Sequence, residues 1–184
     1  MKAHSRLPDG YRLQERIDLL KNRKQLVRVN VLSIVLAVIT VILGFLFQPD
    51  GANLPFWQLL AAIVATAVYI IGHEAVHGVL MWLISREKPR FGFKLMYAYA
   101  GSTACFDKAA YLLIAIAPLI VWTAVLSVLA FTLPDVCFWP IWMVQVMNVS
   151  GAAGDLYVFC HLLPRPRTIL VQDDGTAMKV YRAV

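Results

Sequence analysis

Residues 56–84 read FWQLLAAIVATAVYIIGHEAVHGVLMWLI, and this stretch decides what kind of fold the chain can adopt. Almost every residue in it is apolar, apart from the segment His73-Glu74-Ala75-Val76-His77 toward its C-terminal end. An α-helix needs about 20 consecutive apolar residues to cross the hydrocarbon core of a bilayer. The stretch exceeds this minimum, so it predicts a transmembrane helix with two histidines and a glutamate inside it.

Three further stretches of the chain have the same apolar character. They run over residues 29–47, 109–133 and 136–163. Of the 184 residues, 60% are hydrophobic and 15% are charged, whereas a soluble domain has roughly 45–50% and 25%. We therefore predict an all-α integral membrane protein, in which residues 1–184 form one domain with four transmembrane helices embedded in membrane lipid.

The basic residues predict the orientation of these helices. The 17 lysines and arginines fall into three blocks, which span residues 2–28, 86–108 and 165–182. Loops rich in Lys and Arg stay on the cytoplasmic side of a membrane, and the loops 48–55 and 134–135 contain neither residue. We expect a protein of the prokaryotic cytoplasmic membrane whose cytoplasmic parts are the N-terminal segment 1–28, the loop 85–108 and the tail 164–184.

The net charge of +6 does not indicate a nucleic-acid-binding protein. Long apolar stretches separate the basic blocks, and aromatic residues are not interleaved with the basic ones as they are in proteins that bind single strands. The sequence therefore predicts no nucleic-acid partner.

The cytoplasmic segments contain patterns typical of β-strands. In the middle loop, aromatic or apolar residues occupy alternate positions from Phe91 to Tyr99, which predicts a strand or a small β-hairpin. In the tail, residues 168–172 and 176–181 flank the turn Asp173-Asp174-Gly175, which predicts a hairpin. The middle strand has two interpretations of equal weight. It is an edge that pairs with substrate through Phe93, Leu95 and Tyr97, or an amphipathic strand on the bilayer surface.

Two of the 11 acidic residues, Glu74 and Asp155, lie well inside apolar spans. An ionised carboxylate in a membrane costs about 2.5–3.5 kcal/mol even on permissive insertion scales, so such residues are functional by default. The alternative is a neutral, hydrogen-bonded acid that joins two helices. For Asp155 taken alone, the two interpretations have similar weight.

Glu74 belongs to an H-E-x-x-H segment. A spacing of four residues puts His73 and His77 one turn apart on the same helical face, where both imidazoles can reach one zinc ion. Glu74 lies beside them and can hold the catalytic water. The segment therefore predicts a metal site with one Zn²⁺ per chain.

Catalytic zinc usually has three protein ligands, and Asp155 is the predicted third one. Asp155 and His77 stand eight and seven residues before the ends of their spans. In parallel helices this places them at the same depth, roughly 10–12 Å from the cytoplasmic ends. His161 and Asp107 are the alternative ligands.

The residues before Asp155 predict close helix packing. Residues 150–154 read SGAAG, and small residues let membrane helices approach each other closely. Asn148 lies on the same face as Asp155 and can donate a hydrogen bond to a substrate carbonyl or oxyanion. An interhelical hydrogen bond is an equally good explanation for Asn148.

In their order along the chain, these motifs resemble the zincin peptidases of bacterial membranes, a family first grouped as a domain of unknown function. The matching features cover nearly the whole chain: a basic N-terminal segment with a tyrosine, H-E-x-x-H-G, Phe91-Gly92-Phe93-Lys94, Ala117-Pro118, S-G-A-x-G-D and a D-D-G tail. The site resembles that of the site-2 intramembrane metalloproteases. The resemblance implies that His73, His77 and Asp155 bind zinc and that Glu74 is the catalytic carboxylate.

The chain departs from the site-2 proteases at one motif. They carry an N-P-x-D-G type sequence, whereas here Gly154 precedes Asp155 and Leu156 follows it. Their substrates and regulation therefore do not transfer to this protein.

The sequence as a whole predicts a membrane-embedded zinc metallopeptidase that hydrolyses membrane or membrane-proximal peptides. Zinc would activate the attacking water, and Glu74 would take up its proton. One alternative is a non-proteolytic membrane protein with a structural or transport zinc site. Another is a degenerate peptidase that acts as a chaperone or scaffold, although the intact H-E-x-x-H segment argues against it. Substrate identity and oligomeric state do not follow from the sequence.

Overall fold

The structure is a computed structural model that describes residues 1–19, 21–52, 55–94, 97–175 and 177–184. Contacts within the chain divide it into two compact units. The first contains residues 1–26, 74–118 and 155–184, and the second contains residues 27–73 and 119–154.

Helices form the four apolar stretches that the sequence indicates. They are α1 (Arg23–Phe47), α2 (Phe56–Ser85), α3 (Lys108–Thr132), α4 (Phe138–Gly151) and α5 (Ala153–Leu162), with a short 3₁₀ turn at Asp135–Cys137 before α4. In the described part of the chain, four helical stretches are long and apolar enough to cross a membrane. Many large apolar side chains of α1, α2 and α3 are exposed, which reverses the arrangement of a soluble protein and suits a lipid environment.

The fourth stretch differs from its prediction, because the single helix expected over residues 136–163 is interrupted. Helix α4 ends at Gly151, and Ala152 leaves the helical conformation with ψ at 5°. Glycine is a poor helix former, and it occurs here within a run of small residues. Helix α5 then starts afresh, with Asp155 in its first turn.

The fold is not purely all-α, because the described residues form seven strands, more than the small strand region that the sequence predicts. The strands are β1 (Ala3–His4), β2 (Tyr11–Ile17), β3 (Arg90–Lys94), β4 (Tyr97–Gly101), β5 (Cys105–Asp107), β6 (Leu170–Asp173) and β7 (Met178–Ala183). Five of them form an antiparallel sheet in the order β1-β5-β6-β7-β2. The predicted tail hairpin is confirmed as β6 and β7, whereas the N-terminal strands were not foreseen.

Of the two forms predicted for residues 91–99, a strand or a small hairpin, the structure has the second. In this hairpin, Phe91 pairs with Ala100 and Phe93 with Ala98. A run of alternating residues pairs with itself because this satisfies backbone N–H and C=O groups that a lone strand would leave unbonded. Leu95, which the sequence analysis singles out, lies outside the described residues.

The core of the first unit joins its sheet to its helices. Phe106 of β5, Val171 of β6 and Val180 of β7 are fully buried and cluster with Ile114 of α3 and Leu162 of α5. Burial of apolar surface on this scale is the main stabilising contribution in a folded unit. The cluster therefore fixes α3 and α5 relative to the sheet.

The second unit packs through aromatic residues and side-chain bonds to the backbone. The Trp142 indole lies so close to α1 that a Cβ built on Gly44 would be 2.4 Å from its Nε1 atom. The same Nε1–H donates to the carbonyl of Thr40 at 2.8 Å. The amide of Gln58 donates to the carbonyl of Val136 at 2.7 Å. These bonds satisfy the two donors away from water, where an unsatisfied polar group is costly.

Candidate metal centre

Helix α2 runs without interruption through the H-E-x-x-H segment. Both of its histidines are buried, and helix geometry places His77 one turn after His73 on the same face. The glycines on either side allow close packing at this point of the helix. A Cβ on Gly72 would lie 2.4 Å from the ring of Trp122, and one on Gly78 would lie 2.3 Å from the ring of Phe91.

Asp155 is the residue that α5 contributes to this centre. Its Oδ2 atom lies 3.6 Å from Nε2 of His77. The possible ligand atoms of His73, His77 and Asp155 all lie within 4.8 Å of one another. The structure thus brings together the three residues that the sequence analysis grouped from helix spacing and depth.

A backbone carbonyl of α3 orients His77. Nδ1 of His77 is 2.9 Å from the carbonyl oxygen of Ile114. A carbonyl only accepts hydrogen bonds, so Nδ1 carries the proton and donates it, and Nε2 is the nitrogen that faces Asp155. In a regular helix the Ile114 carbonyl would accept from the N–H of residue 118. Residue 118 is a proline and has no N–H, so the sequence itself supplies an acceptor for His77.

A tyrosine one turn earlier on α2 orients His73. Nδ1 of His73 is 2.8 Å from the hydroxyl of Tyr69. That hydroxyl donates to Oδ1 of Asn148 at 3.1 Å, and Nδ2 of Asn148 donates to the hydroxyl of Thr123 at 2.9 Å. Asn148 therefore makes interhelical hydrogen bonds, as one of the two explanations from its sequence position predicts. Its contact with substrate stays a prediction.

Glu74 follows His73 directly, so its side chain projects about 100° further around the helix. The side chain is half-buried, and its carboxylate is not part of the three-residue group. This position suits a group that acts on a water or substrate held by the centre, and not a group that ligates the metal.

Neither alternative ligand lies in the group. Asp107 accepts from the backbone N–H groups of Lys2, at 2.6 Å, and Ala110, at 2.7 Å, so it caps the start of α3. His161 lies 3.1 Å from the carboxylate of Glu15 and stacks on the ring of Tyr157. Both residues tie the N-terminal strands to the helices of the first unit.

The donor set fits a zinc ion. Zinc takes imidazole nitrogens and carboxylate oxygens at about 2.0–2.2 Å in tetrahedral geometry, which separates neighbouring ligand atoms by about 3.4 Å. The 3.6 Å between His77 and Asp155 agrees with this spacing. Two histidines and one carboxylate also match the three-ligand sets of catalytic zinc, and each histidine has a partner for its other nitrogen, as ligating histidines usually do.

Sequence reasoning missed the groups that hold the two histidines. Tyr69 had a signal, since it lies four residues before His73 and so shares its helical face. The role of Ile114 had an indirect signal in Pro118 four residues later. No local signal connects Thr123 with Asn148, because that contact depends on how two helices pack.

Two buried histidines of an H-E-x-x-H helix, with a half-buried carboxylate from another helix beside them, form the type of site found in zincins, a class of zinc metallopeptidase. Residues 66–170 match the model of a family described as "Putative zincin peptidase". The chain belongs to this family, as the resemblance in its motifs predicted. The likeness to site-2 proteases stays a prediction.

One relative is similar over most of its length. It is a protein of Pyrococcus woesei described as "Uncharacterized 24.7 kDa protein in gap 5'region". It is 29% identical over 168 residues, which make up 88% of this chain and 71% of the relative. No solved structure matches the chain at a significant level.

Proposed function

We propose that the protein is an integral membrane zinc peptidase that hydrolyses peptide bonds of membrane or membrane-proximal substrates. The observation that carries this proposal is the grouping of His73, His77 and Asp155 within 4.8 Å on helices apolar enough to span a bilayer, with Glu74 beside them. Costly polar groups in such helices are expected to serve a function.

His73, His77 and Asp155 would hold one zinc ion. When bound, zinc supplies a Lewis acid that polarises a scissile carbonyl and acidifies a water to a pKa of about 7. Glu74 would take the proton from the attacking water and deliver it to the amine that leaves. The Asp155 carboxylate and the buried surroundings of the histidines would keep the site rigid and shielded from bulk water.

Exposed apolar surface supports placement in the membrane. The described helices expose large side chains such as Ile34, Val38, Ile63, Val68 and Ile71, which would be unfavourable in water. The three basic blocks support an orientation with both termini and the loop 85–108 in the cytoplasm. The site would then open toward the cytoplasmic half of the bilayer.

The hairpin of β3 and β4 is our proposed binding surface for the substrate. Phe91 of β3 packs on Gly78, the residue after His77, which brings the hairpin next to the H-E-x-x-H segment. Phe93 is 77% exposed. A peptide must be extended to be cut, since a helix keeps its carbonyls in internal hydrogen bonds, and an added strand at the edge of a hairpin would hold it extended. Phe93 lies in β3 and Tyr97 in β4, and Leu95 is proposed from the sequence alone.

The test compares Glu74→Gln with wild type in purified protein and in membranes. The variant should retain one zinc per chain and lose hydrolysis, because it keeps the ligands and removes the base. It should also enrich uncleaved membrane peptides, which mass spectrometry would identify. The matched control is Glu87→Gln, which changes a glutamate just after α2 and should cut normally.

Two other results would contradict the proposal. The metal assignment would be wrong if wild-type protein contained no stoichiometric zinc. It would also be wrong if zinc content stayed equal after changing His73 and His77 to Ala. A Glu74→Gln variant that keeps full function in cells would favour the alternative, a structural or transport zinc site.

A further inference from the structure

We infer that Tyr69, Asn148 and Thr123 form a positioning relay, which fixes the orientation and the tautomer of His73 so that Nε2 is the nitrogen available to a metal. This inference rests on the proposed function and goes beyond it, because none of the three residues would touch the metal or the substrate. It also assigns Asn148 a role other than substrate binding.

The directions of the hydrogen bonds determine where the protons lie. The amide of Asn148 donates from Nδ2 to Thr123 at 2.9 Å, which turns its Oδ1 toward Tyr69. The Tyr69 hydroxyl donates its one proton to that oxygen at 3.1 Å. Its oxygen can then only accept in the 2.8 Å contact with Nδ1 of His73, so Nδ1 carries the proton.

Burial gives the relay its effect. Asn148 is completely buried, and Tyr69 and His73 are nearly so. Water cannot substitute for a missing partner there, so a polar group left unsatisfied would be costly. The tautomer with the proton on Nε2 would place two acceptors opposite each other at His73 and Tyr69, and it is disfavoured for this reason.

Packing fixes the tyrosine as well. The rings of Tyr69 and Trp122 meet edge to face with their centroids 5.4 Å apart. Trp122 in turn lies against Gly72, where a Cβ would be 2.4 Å from its ring. The tyrosine therefore cannot swing away from His73 without moving a tryptophan that closely contacts the same helix.

The experiment measures zinc affinity by chelator competition, and the absorption spectrum of the Co²⁺-substituted protein, for Tyr69→Phe and Thr123→Val. Both variants keep the shape of the side chain and remove a hydroxyl. Tyr69→Phe should weaken zinc binding by about 10- to 100-fold, as expected for a partner of a ligating histidine, and should alter the Co²⁺ bands. Thr123→Val should act in the same direction and more weakly. The control is Tyr157→Phe, which removes a hydroxyl from a ring that stacks on His161.

Three outcomes would overturn the inference. The first is wild-type zinc affinity and an unchanged Co²⁺ spectrum in Tyr69→Phe. The second is a Tyr69→Phe variant whose loss of zinc is fully explained by a lower melting temperature of its metal-free form. This result would show a purely structural role. The third is an Asn148→Ala variant with normal zinc affinity and a raised KM, which would make Asn148 a substrate contact. If wild-type protein binds no zinc, the proposed function fails together with the relay.

Discussion

At the residue scale, a single proline accounts for one contact of the candidate metal centre. Pro118 leaves the carbonyl of Ile114 without the N–H that a regular helix would supply. Nδ1 of His77 donates to that carbonyl oxygen instead, at 2.9 Å. The proline is tolerated in a long apolar helix because a neighbouring group satisfies the backbone. A residue that weakens α3 thereby orients a residue of α2.

Replacing Pro118 with Ala should weaken the zinc site while leaving the helix more regular. The new N–H at position 118 would compete with His77 for the Ile114 carbonyl. We expect zinc affinity to fall by about tenfold, which is the lower end for lost partners of ligating histidines. Chelator competition measures it. Pro140→Ala is the control, because Pro140 lies in the first turn of α4, where no N–H is required. Equal affinities in the two variants would refute the role of Pro118.

Asp155 should be the carboxylate on which metal binding depends. Asp155→Ala removes one of three ligands, and we expect loss of stoichiometric zinc and of all hydrolysis. Asp107→Asn should keep its zinc, because Asp107 caps α3 instead. Metal analysis of both purified variants tests the assignment. Zinc retained in the first variant and lost in the second would reverse it.

At the element scale, short irregular segments place the functional side chains. The break at Ala152 restarts the helix, so that Asp155 lies in the first turn of α5. The hairpin of β3 and β4 packs on Gly78 through Phe91. The turn after β6 is held by the hydroxyl of Tyr111, which donates to the carboxylate of Asp173. The first two of these segments adjoin a proposed site residue.

Removing the contact of the hairpin with α2 should impair substrate binding more than chemistry. In Phe91→Ala the ring that lies on Gly78 is lost, and the hairpin loses a fixed position beside the histidines. We expect a several-fold higher KM, with kcat and zinc content close to wild type. Steady-state kinetics on a trapped substrate peptide would measure this. The control, Phe56→Ala, removes a phenylalanine that is 84% exposed at the start of α2. A fall in kcat alone would contradict a binding role.

The turn after β6 should make stability depend on pH. Burial raises the pKa of Asp173 above its usual value of 3.8, although the hydrogen bonds from Tyr111 and Gly175 oppose this shift. Between the ordinary and the raised pKa the folded state binds more protons than the unfolded state. The free energy of unfolding therefore falls as the pH rises through this window.

Asp173→Asn has no charge to titrate and should lack this dependence. Relative to the variant, wild-type protein in detergent should show a melting temperature that decreases as the pH rises from about 4. Asp9→Asn changes an exposed aspartate and should follow the wild-type curve. Parallel curves for wild type and Asp173→Asn would show that Asp173 does not contribute.

At the scale of the whole molecule, segments far apart in the sequence share one sheet. Strands β1 and β2 come from the N-terminal segment, β5 precedes α3, and β6 and β7 come from the tail. All three segments belong to the basic blocks of the sequence. Under the rule that basic loops remain inside, the sheet and both termini would be cytoplasmic.

Cysteine labelling tests this orientation independently of the chemistry. In a variant whose native cysteines are replaced by Ser, Asp50→Cys should react with a membrane-impermeant maleimide added outside intact cells. Asp9→Cys should react only after the cells are opened. The opposite pattern would place the sheet outside and contradict a site that opens toward the cytoplasm.

The sequence by itself determined the helices and the residues that can bind metal. A helix of about 20 apolar residues has no stable alternative in lipid, so residues 29–47, 56–84 and 109–133 could be assigned locally. The spacing of His73 and His77 is likewise a property of one helix. Asp155 followed from a count of residues to the ends of parallel spans.

Only the tertiary structure decided how distant strands pair and which groups hold the histidines. The pairing of β2 with β7 joins residues more than 160 positions apart, and the alternation of Phe91 to Tyr99 fits one strand as well as a hairpin. The hydrogen bond of Asn148 with Tyr69 likewise connects different helices. Periodicity shows which face of an element is apolar, but it does not show which element covers that face, because packing depends on the shape and the remaining polar groups of the whole unit.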